Sequence, residues 1–267
     1  MSDLVAALRR EGVTDVDDST LARALYSSDA SIYRVVPQAV VRPRSTEEIL
    51  ATLAVARSAG VPLTMRGAGT SIAGNAVGPG LVVDTSRYLN RVLSLDPESR
   101  TAVVEPGVVH AVLQQAAAPH RLRFGPDPST HTRCTIGGMI GNNACGSRAL
   151  GYGRTSDNVV ALTSVLGTGE LVPSRRVLRR LGEDATTRQL DQLDQLVDGH
   201  LGHIRTSFGQ FGRQVSGYAM EQLLPENGRR FDRFLVGSEG TLGLVLEATM
   251  QLVEEAPARA LAVLGYA

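Results

Sequence analysis

Three clusters of glycine constrain the fold of this chain more than any other feature of its sequence. They lie at residues 66–74, 125–153 and 237–243, in a chain with 28 glycines among 267 residues. Glycine allows positive φ and lets main-chain N–H groups approach a ligand without a side chain in the way. The first cluster follows a predicted strand, which favours an anion-binding loop, and a tight turn is the alternative for that cluster alone. It fits the dinucleotide pattern G-x-G-x-x-G poorly, because residue 72 is isoleucine.

The composition argues against several classes of function. All 27 basic residues are arginine, and 27 acidic residues balance them. Without lysine, the chain has no Schiff-base lysine and no Walker-type phosphate loop. Zero net charge, with six Tyr, five Phe and no Trp, argues against nucleic-acid binding. Two cysteines make no disulfide framework, and the absence of a signal peptide or a long apolar run predicts a cytoplasmic protein without a membrane span.

The spacing of apolar residues predicts alternating helices and strands. The N-terminal residues are helical in pattern, and strands at 39–41 and 62–65 enclose a helix to make a βαβ unit. Ser45 is the predicted N-cap of that helix, and Glu48 is expected to reach back to it in a capping box. Further predicted helices are 108–118 and much of 174–230, with Leu190, Leu193, Leu196 and Leu201 in the core. Further predicted strands are 81–84, 92–95, 102–105, 159–166, 234–236, 244–252 and a last one beginning at 261–264. The class is α+β, with two lobes that meet near residue 95.

The second glycine cluster is the most concentrated. Residues 135–146 hold four glycines and two asparagines, a composition that favours neither helix nor strand. Because such a segment is costly to order, we interpret it as backbone brought close to a ligand. A purely structural glycine cluster is the alternative. The third cluster lies between two predicted strands and is a weak signal alone.

Four motifs in order along the chain resemble one family. They are R-G-A-G-T-S (66–71), T-I-G-G-M-I-G-N-N-A-C-G (135–146), G-Y-G-R-T-S-D-N-V (151–159) and G-S-E-G-T-L-G-L-V-L-E-A (237–248). They are similar to the FAD-binding domain of the vanillyl-alcohol-oxidase/p-cresol-methylhydroxylase (PCMH-type) flavoproteins. The branch they resemble is the FAD-linked 2-hydroxyacid dehydrogenases, which include the glycolate oxidase FAD subunit, D-lactate dehydrogenase and D-2-hydroxyglutarate dehydrogenase. The segment 28–33 also resembles that branch, and 139–153 with 216–228 resembles its subgroup fused to an iron–sulfur domain.

The resemblance implies a two-lobed α+β domain. Its expected parts are an N-terminal helical segment (1–35), a small βαβ-containing lobe (36–95) and a larger mixed-sheet lobe (96–255) with a helical insertion (174–230). Residues 256–267 would begin a C-terminal substrate domain that is missing from the chain.

The resemblance also implies a FAD site between the lobes. The pyrophosphate would be held by the backbone of Arg66, Gly67, Ala68, Gly69, Thr70 and Ser71, with Asn75 as a side-chain helper. The pyrophosphate and isoalloxazine side would be lined by Pro126, Asp127, Thr135, Gly138, Gly141 and Asn142. The adenine end would contact Val245, reached through the turn at Gly240.

Some family members attach FAD covalently to a histidine in the first glycine loop. Non-covalent FAD is predicted for this chain, because its loop lacks that histidine. This loop has Thr70 near that place and no histidine from 67 to 75. Cys134 could attack the ring, but both it and Cys145 are expected to be small packed residues.

The histidines and one arginine run have weaker signals. No metal site is expected, since His200 and His203 with Asp198 are read as a solvated helix face rather than a chelating pair. His131 could approach the flavin or cap a loop, while His110 and His120 look structural. The run at 175–180 predicts a solvated helix face, with a docking surface as the alternative.

In the family, a 2-hydroxyacid is oxidised to the 2-oxoacid by hydride transfer to flavin N5. The substrates are D-lactate, glycolate or D-2-hydroxyglutarate. The family's substrate domain lies C-terminal to the FAD domain. Catalytic residues therefore stay unassigned, and this fragment is expected to be catalytically incomplete. Expected partners are the substrate, through the missing domain, and an iron–sulfur domain or electron acceptor. Any iron–sulfur cluster would lie in a domain absent from this chain. The predicted location is cytoplasmic, and a membrane-peripheral location through an electron-acceptor partner is the alternative. The alternatives are a non-catalytic binding or assembly module and an NADPH-dependent reductase of the cell-wall-precursor type.

Overall fold

The computed structural model describes residues 3–172, 185–258 and 260–266. The helices are α1 (Asp3–Arg10), α2 (Thr20–Leu25), α3 (Thr46–Ala59), α4 (His110–Ala117), α5 (Ile136–Asn142), α6 (Ala149–Tyr152), α7 (Ala185–Gly199), α8 (Leu201–Ser207) and α9 (Phe231–Leu235). The strands are β1 (Val16–Asp17), β2 (Ala39–Val41), β3 (Leu63–Arg66), β4 (Leu81–Asp84), β5 (Val92–Asp96), β6 (Thr101–Val104), β7 (Leu122–Phe124), β8 (Val159–Leu166), β9 (Leu171–Val172) and β10 (Gly243–Glu254). The arginine run at 175–180 lies outside the described residues.

The first sheet has the strand order β1-β2-β4-β3. Strands β2 and β3 both run parallel to β4, and β1 pairs antiparallel with β2. The predicted βαβ unit is therefore present, with β4 inserted between its two strands. Ser45 caps α3 by accepting from the Glu48 amide at 3.4 Å, as predicted. The second contact predicted for the capping box, from Glu48 back to Ser45, was wrong, because the Glu48 carboxylate accepts from the Arg44 amide at 2.9 Å instead.

The second sheet is antiparallel, with the order β5-β6-β10-β8-β9, and β7 pairs with the far end of β10. Strand β10 forms its spine, since it pairs with β6, β7 and β8. The inward side chains of β10 alternate with outward ones, as expected for a sheet with one packed face. The predicted hairpin of β5 and β6, helix α4 and strand β8 are all confirmed.

Helix α3 joins the two sheets. One of its faces packs on the first sheet through Val55 and Ala56. Another places Ile49 and Leu53 against Val165, Leu244 and Leu246 of the second sheet. A separate large core lies beneath the second sheet, between it and the helices α4, α5, α7 and α9. The sheets are thus held together through buried apolar contact, and the carboxyl end of β3 meets the start of β10 at their junction.

Some local predictions were wrong. Residues 234–236 belong largely to helix α9 rather than to a strand, because Phe231, Phe234 and Leu235 become buried at helical spacing. The described residues at 260–266 form no strand, since their side chains are exposed and no neighbouring strand pairs with them. Leu196 is exposed and Val197 takes the buried position in α7. The domain limits given above stay a prediction.

Helix α5 is the main departure from expectation, because residues 135–146 were expected to form neither helix nor strand. Thr135 caps the helix by accepting from the Gly138 amide at 3.2 Å. Ile136, Met139 and Ile140 are buried on one face, and Asn143 ends the helix in the left-handed conformation. Burial of that apolar face outweighs the low helix propensity of the glycines.

Candidate functional site

A cavity of about 1110 Å³ lies at the junction of the two sheets. Its wall is built from all three glycine clusters. The first cluster follows β3, the second contains α5, and the third runs into β10. Segments far apart in sequence therefore meet around one volume, which has the size of a cofactor or substrate site.

The loop at 66–76, which leaves β3, presents bare backbone to this cavity. Within the part of the chain that the structure describes, the amide N–H groups of residues 67–72 have no hydrogen-bond partner. Gly69 has φ of +65° and Gly74 has φ of +84°, which turn the chain where other residues would be strained. The Ser71 hydroxyl oxygen accepts from the amides of Ala73 and Asn75 at 3.2 Å each. Unpaired N–H groups in a loop that lines a cavity are suited to binding an anion.

The base of the loop is closed by Arg66. Its guanidinium donates to the Ala76 carbonyl at 2.9 Å and lies 5.1 Å from the ring centroid of Tyr26. The Arg66 carbonyl accepts from the Thr85 amide at 3.0 Å, which ties the start of the loop to β4. Burial and a hydrogen bond donated to Asp84 both raise the pKa of Tyr26, so its hydroxyl stays protonated.

The loop packs directly on the start of α5. A Cβ at Gly67 would lie 2.1 Å from Thr135 Oγ1, so only glycine fits there. In α5 the amides of Ile136 and Gly137 donate to Val108 and Pro106 carbonyls at 2.8 and 2.7 Å. The first turn is therefore satisfied within the protein and is not a free anion site.

What α5 offers the cavity is a face without side chains. Among the described residues, no atom would lie within 4 Å of a Cβ placed at Gly141, and one at Gly138 would meet only Thr135 Oγ1, at 3.1 Å. The opposite face of the helix is anchored by buried Met139 and Ile140. A rigid, smooth backbone surface of this kind is suited to contact with a planar group.

The third cluster docks on the end of α5. Gly237 and Glu239 donate their amides to the carbonyls of Ile140 and Gly141 at 2.8 and 2.9 Å. The Asn143 side chain accepts from the Ser156 amide at 3.0 Å, and Gly237 packs against its Cβ. This docking sets where β10 begins and brings Val245 into the cavity wall.

Comparison with known proteins identifies the family. Residues 37–174, which make up more than half of the chain, match the family described as FAD binding domain. The chain belongs to this family.

Curated relatives align with most of this chain. D-2-hydroxyglutarate dehydrogenase of Escherichia coli (strain K12) is 35% identical, over 97% of this chain and 27% of that protein. Glycolate oxidase subunit GlcD of Bacillus subtilis (strain 168) is 34% identical, over 91% of this chain and 43% of that protein. D-lactate dehydrogenase of Archaeoglobus fulgidus is 32% identical, over 85% of this chain and 42% of that protein. The chain thus spans between 27% and 43% of the length of these relatives.

Solved structures agree on the fold. An alkyldihydroxyacetonephosphate synthase superposes with a TM-score of 0.68 at 21% identity, over 96% of this chain and 41% of that one. A second structure of that enzyme gives a TM-score of 0.70. The predicted class, an α+β domain of the PCMH-type FAD-binding fold with two sheets, is confirmed.

Most residues predicted to bind the cofactor lie in the cavity wall of this FAD-binding domain. They are Arg66, Gly67, Ala68, Gly69, Thr70, Ser71, Asn75, Thr135, Gly138, Gly141, Asn142, Gly240 and Val245. Pro126 and Asp127 lie outside it. The Pro126 carbonyl bonds to His110 Nε2 at 2.8 Å, and Asp127 pairs with Arg148 at 3.3 Å.

The cysteines and histidines of the FAD-binding domain take different places. Cys134 is buried, as predicted, and burial raises the pKa of its thiol. Cys145 was expected to be packed, but it is only half-buried, and both cysteines line the cavity. His110 is buried in the structural role predicted for it, and burial lowers its pKa. His131 is exposed, with its ring 6.1 Å from that of His110.

Other candidate sites give simpler results. His200 falls between α7 and α8, and Asp198 pairs with Arg229 at 2.6 Å. Over residues 3–172, 185–258 and 260–266, no group of three His, Cys, Asp or Glu side chains could hold a metal ion. No helix in the same ranges is long and apolar enough to cross a membrane.

Sequence reasoning missed part of the cavity wall. Asn143, Ser238 and Glu239 lie inside the recognised motifs and could have been named with them. Arg213 and Val215 also line the cavity, but they come from a polar stretch in which no local pattern points to a ligand.

Proposed function

We propose that this chain binds FAD non-covalently and is the FAD-binding part of an oxidoreductase that oxidises a 2-hydroxyacid to the 2-oxoacid. The proposal depends on one observation: the N–H groups at 67–72 have no hydrogen-bond partner among the described residues, and their loop lines the same cavity as α5 and the start of β10. Family membership supports FAD as the ligand. The names of the relatives support the 2-hydroxyacid class of D-lactate, glycolate or D-2-hydroxyglutarate.

Each wall of the cavity has a proposed part in holding the cofactor. The N–H groups of 67–72 bind the diphosphate, with Asn75 beside them. The bare face of α5 at Gly138 and Gly141 would contact the planar flavin ring, because no atom of the described residues lies within 4 Å of a Cβ placed at Gly141. Val245, after the turn at Gly240, contacts the adenine end. This chain has no lysine, so backbone N–H groups and Arg66 supply the positive potential that a diphosphate requires.

Non-covalent attachment is supported by the nucleophiles available. No histidine lies at 67–75. Cys134 is buried with a raised thiol pKa, so it stays protonated near neutral pH and is a poor nucleophile. Cys134 and Cys145 both line the cavity, so acid precipitation must show that neither thiol is joined to the flavin.

Bound FAD supplies a hydride acceptor for the substrate carbon. The described residues bind and orient the cofactor, and the packed wall between the sheets keeps water from its buried side. The cavity wall within the described ranges has no histidine, and we assign the proton acceptor, the substrate carboxylate site and any iron–sulfur cluster to other parts of the whole protein. We also propose a cytoplasmic location, with electrons passed on to an iron–sulfur domain or a membrane-bound acceptor.

A visible absorption spectrum tests the proposal directly. The purified chain is incubated with FAD, desalted and scanned, then precipitated with acid, and both fractions are scanned again. We expect flavin absorption in the desalted protein and all of the flavin in the acid supernatant. Protein that stays colourless after reconstitution would refute FAD binding, and flavin in the pellet would refute only non-covalent attachment.

A further inference from the structure

We propose that residues 27–35 form a clamp on the 66–76 loop and that Asp29 is a positioning residue for FAD binding. The inference rests on the proposed function, because it assumes that this loop holds the FAD diphosphate. The inference is based on hydrogen bonds between two segments that lie about 40 residues apart in sequence.

The clamp is a small hairpin with an ordered tip. Ser28 and Arg34 form an antiparallel bridge, and the Val35 amide donates to the Ser27 carbonyl at 2.8 Å. At the tip, Asp29 Oδ1 accepts from the Ser31 amide at 2.9 Å. The Ser31 hydroxyl in turn accepts from the Tyr33 amide at 3.1 Å. These bonds hold the tip in one conformation without help from the loop.

The tip contacts the 66–76 loop at three points. The Ala30 amide donates to the Gly69 carbonyl at 3.0 Å. Asp29 Oδ2 accepts from the Ala76 amide at 3.2 Å. The Tyr33 ring lies against Gly74, where an added Cβ would be 2.6 Å from a ring carbon. The clamp therefore engages the middle and the end of the loop together.

The contact at Gly69 sets the direction of one N–H group. In a trans peptide the carbonyl and the next residue's N–H point to opposite sides. When Ala30 holds the Gly69 carbonyl, the Thr70 N–H must point away from the clamp. That N–H is one of those without a partner among the residues described.

The contact at Ala76 fixes the end of the loop. Asp29 accepts its N–H while Arg66 donates to its carbonyl at 2.9 Å. Burial acts to raise the pKa of Asp29, but the hydrogen bonds from Ser31 and Ala76 and the nearby Arg66 charge lower it overall. Asp29 is therefore a carboxylate at neutral pH, next to a loop assigned to an anionic ligand.

The charge of Asp29 makes the inference testable, because the two possible roles of this residue predict opposite changes in FAD affinity. As a mere neighbouring charge, Asp29 would repel the diphosphate, and both Asp29→Asn and Asp29→Ala would tighten FAD binding. As a positioning residue it holds the Ala76 N–H, so Asp29→Ala weakens FAD binding about tenfold, the value of one charge-assisted hydrogen bond. Asp29→Asn keeps an acceptor oxygen and should recover part of that loss.

Asp96 offers a matched control. Its Oδ1 accepts from the Glu98 amide at 2.9 Å, the same local turn bond as in Asp29, but in the β5–β6 hairpin. The test is to measure FAD dissociation constants by flavin fluorescence for wild type, Asp29→Ala, Asp29→Asn and Asp96→Ala. We expect only the Asp29 variants to weaken binding. Equal or tighter binding by Asp29→Ala, or the same loss in Asp96→Ala, would overturn the inference.

Hydrogen exchange of the chain without FAD separates this inference from the proposed function. We expect faster amide exchange at residues 74–76 in Asp29→Ala than in wild type or Asp96→Ala. Unchanged exchange there overturns the clamp even if FAD binds normally. If no variant and no wild-type protein binds FAD, the proposed function fails, while faster exchange in Asp29→Ala still supports the clamp.

Discussion

At the scale of single residues, the site depends on positions where a side chain is missing. Gly67 lies against Thr135, and Gly141 faces open cavity. These two glycines differ in kind. At Gly67 a Cβ would collide with the protein itself, whereas at Gly141 it would enter only the space assigned to the cofactor. That difference allows ligand binding to be separated from folding.

We expect Gly141→Ala to weaken FAD binding by at least about tenfold without loss of stability. The added methyl enters empty space in the cavity, and alanine favours a helix over glycine by up to ~1 kcal/mol. Gly202→Ala in α8 is the matched control, since its Cβ would also meet no atom of the described part of the chain within 4 Å. Thermal unfolding and flavin fluorescence measure the two effects. Undiminished FAD affinity in Gly141→Ala would contradict the placement of the cofactor on α5.

His110 predicts a pH dependence of stability. It is 2% exposed, and burial lowers its pKa from the usual value. The unfolded chain therefore takes up a proton below about pH 6.5 while the folded protein does not. The stabilisation is fully present above that pH and is lost as the pH falls toward the folded pKa, by at most ~1.4 kcal/mol per pH unit.

Denaturant unfolding between about pH 7.5 and 5 measures this slope. We expect His110→Gln to flatten the slope, and a substitution of the exposed His120 by Gln is the matched control. A His110→Gln variant with the full wild-type slope would assign the dependence to other groups.

At the scale of elements, the short helix α5 organises the site. Its cap, Thr135, touches Gly67 of the first cluster, and its last turn accepts amides from Gly237 and Glu239 of the third. Helix α5, itself part of the second cluster, thus fixes the positions of the first and third clusters relative to each other. Its own stability comes from the buried Ile136, Met139 and Ile140 rather than from helix propensity.

Removing the cap of α5 should affect both stability and the site. Thr135→Ala loses the bond to the Gly138 amide, at a cost of about 1 kcal/mol. Ser45→Ala removes the equivalent cap of α3 away from the cavity, so we expect a similar loss of stability. Only Thr135→Ala should also weaken FAD binding. Equal FAD affinities in the two variants, measured by fluorescence titration, would show that α5 does not shape the ligand site.

At the scale of the whole molecule, the cavity exists because two different sheets are packed together. Ile49 and Leu53 of α3 meet Val165, Leu244 and Leu246 across this junction. The same strand β10 that packs there also begins in the cavity wall. Changes at the junction should therefore be felt at the ligand site, while changes inside one sheet should not.

We expect Ile49→Ala to lower the free energy of unfolding by roughly 2–5 kcal/mol, as for other fully buried large-to-small changes. It should weaken FAD binding as well. Leu81→Ala, equally buried but in the core of the first sheet, should cost similar stability with little effect on FAD affinity. Unfolding at several FAD concentrations measures both, because the stabilisation by a bound ligand rises with the logarithm of its concentration relative to its dissociation constant. The same FAD affinity in both variants would contradict the coupling.

Prediction from the sequence succeeded where local pattern and final structure agree. Strand β8, helix α4 and the β5–β6 hairpin each have a clear period and clear turn residues. It failed at α9, where a short apolar run suits either a strand or a helix and burial made the choice. It also failed at α5, whose glycines disfavour a helix that packing against the second sheet nonetheless stabilises.

The sequence by itself determined which segments would present bare backbone, because glycine content and the strands before each cluster are local properties. It also determined the family, through four motifs in order. Only the tertiary structure decided that these segments share one cavity, that Pro126 and Asp127 lie outside its wall, and that Arg213 and Asp29 belong to its surroundings. Such contacts join residues far apart in the chain, and their geometry depends on how the two sheets pack through α3.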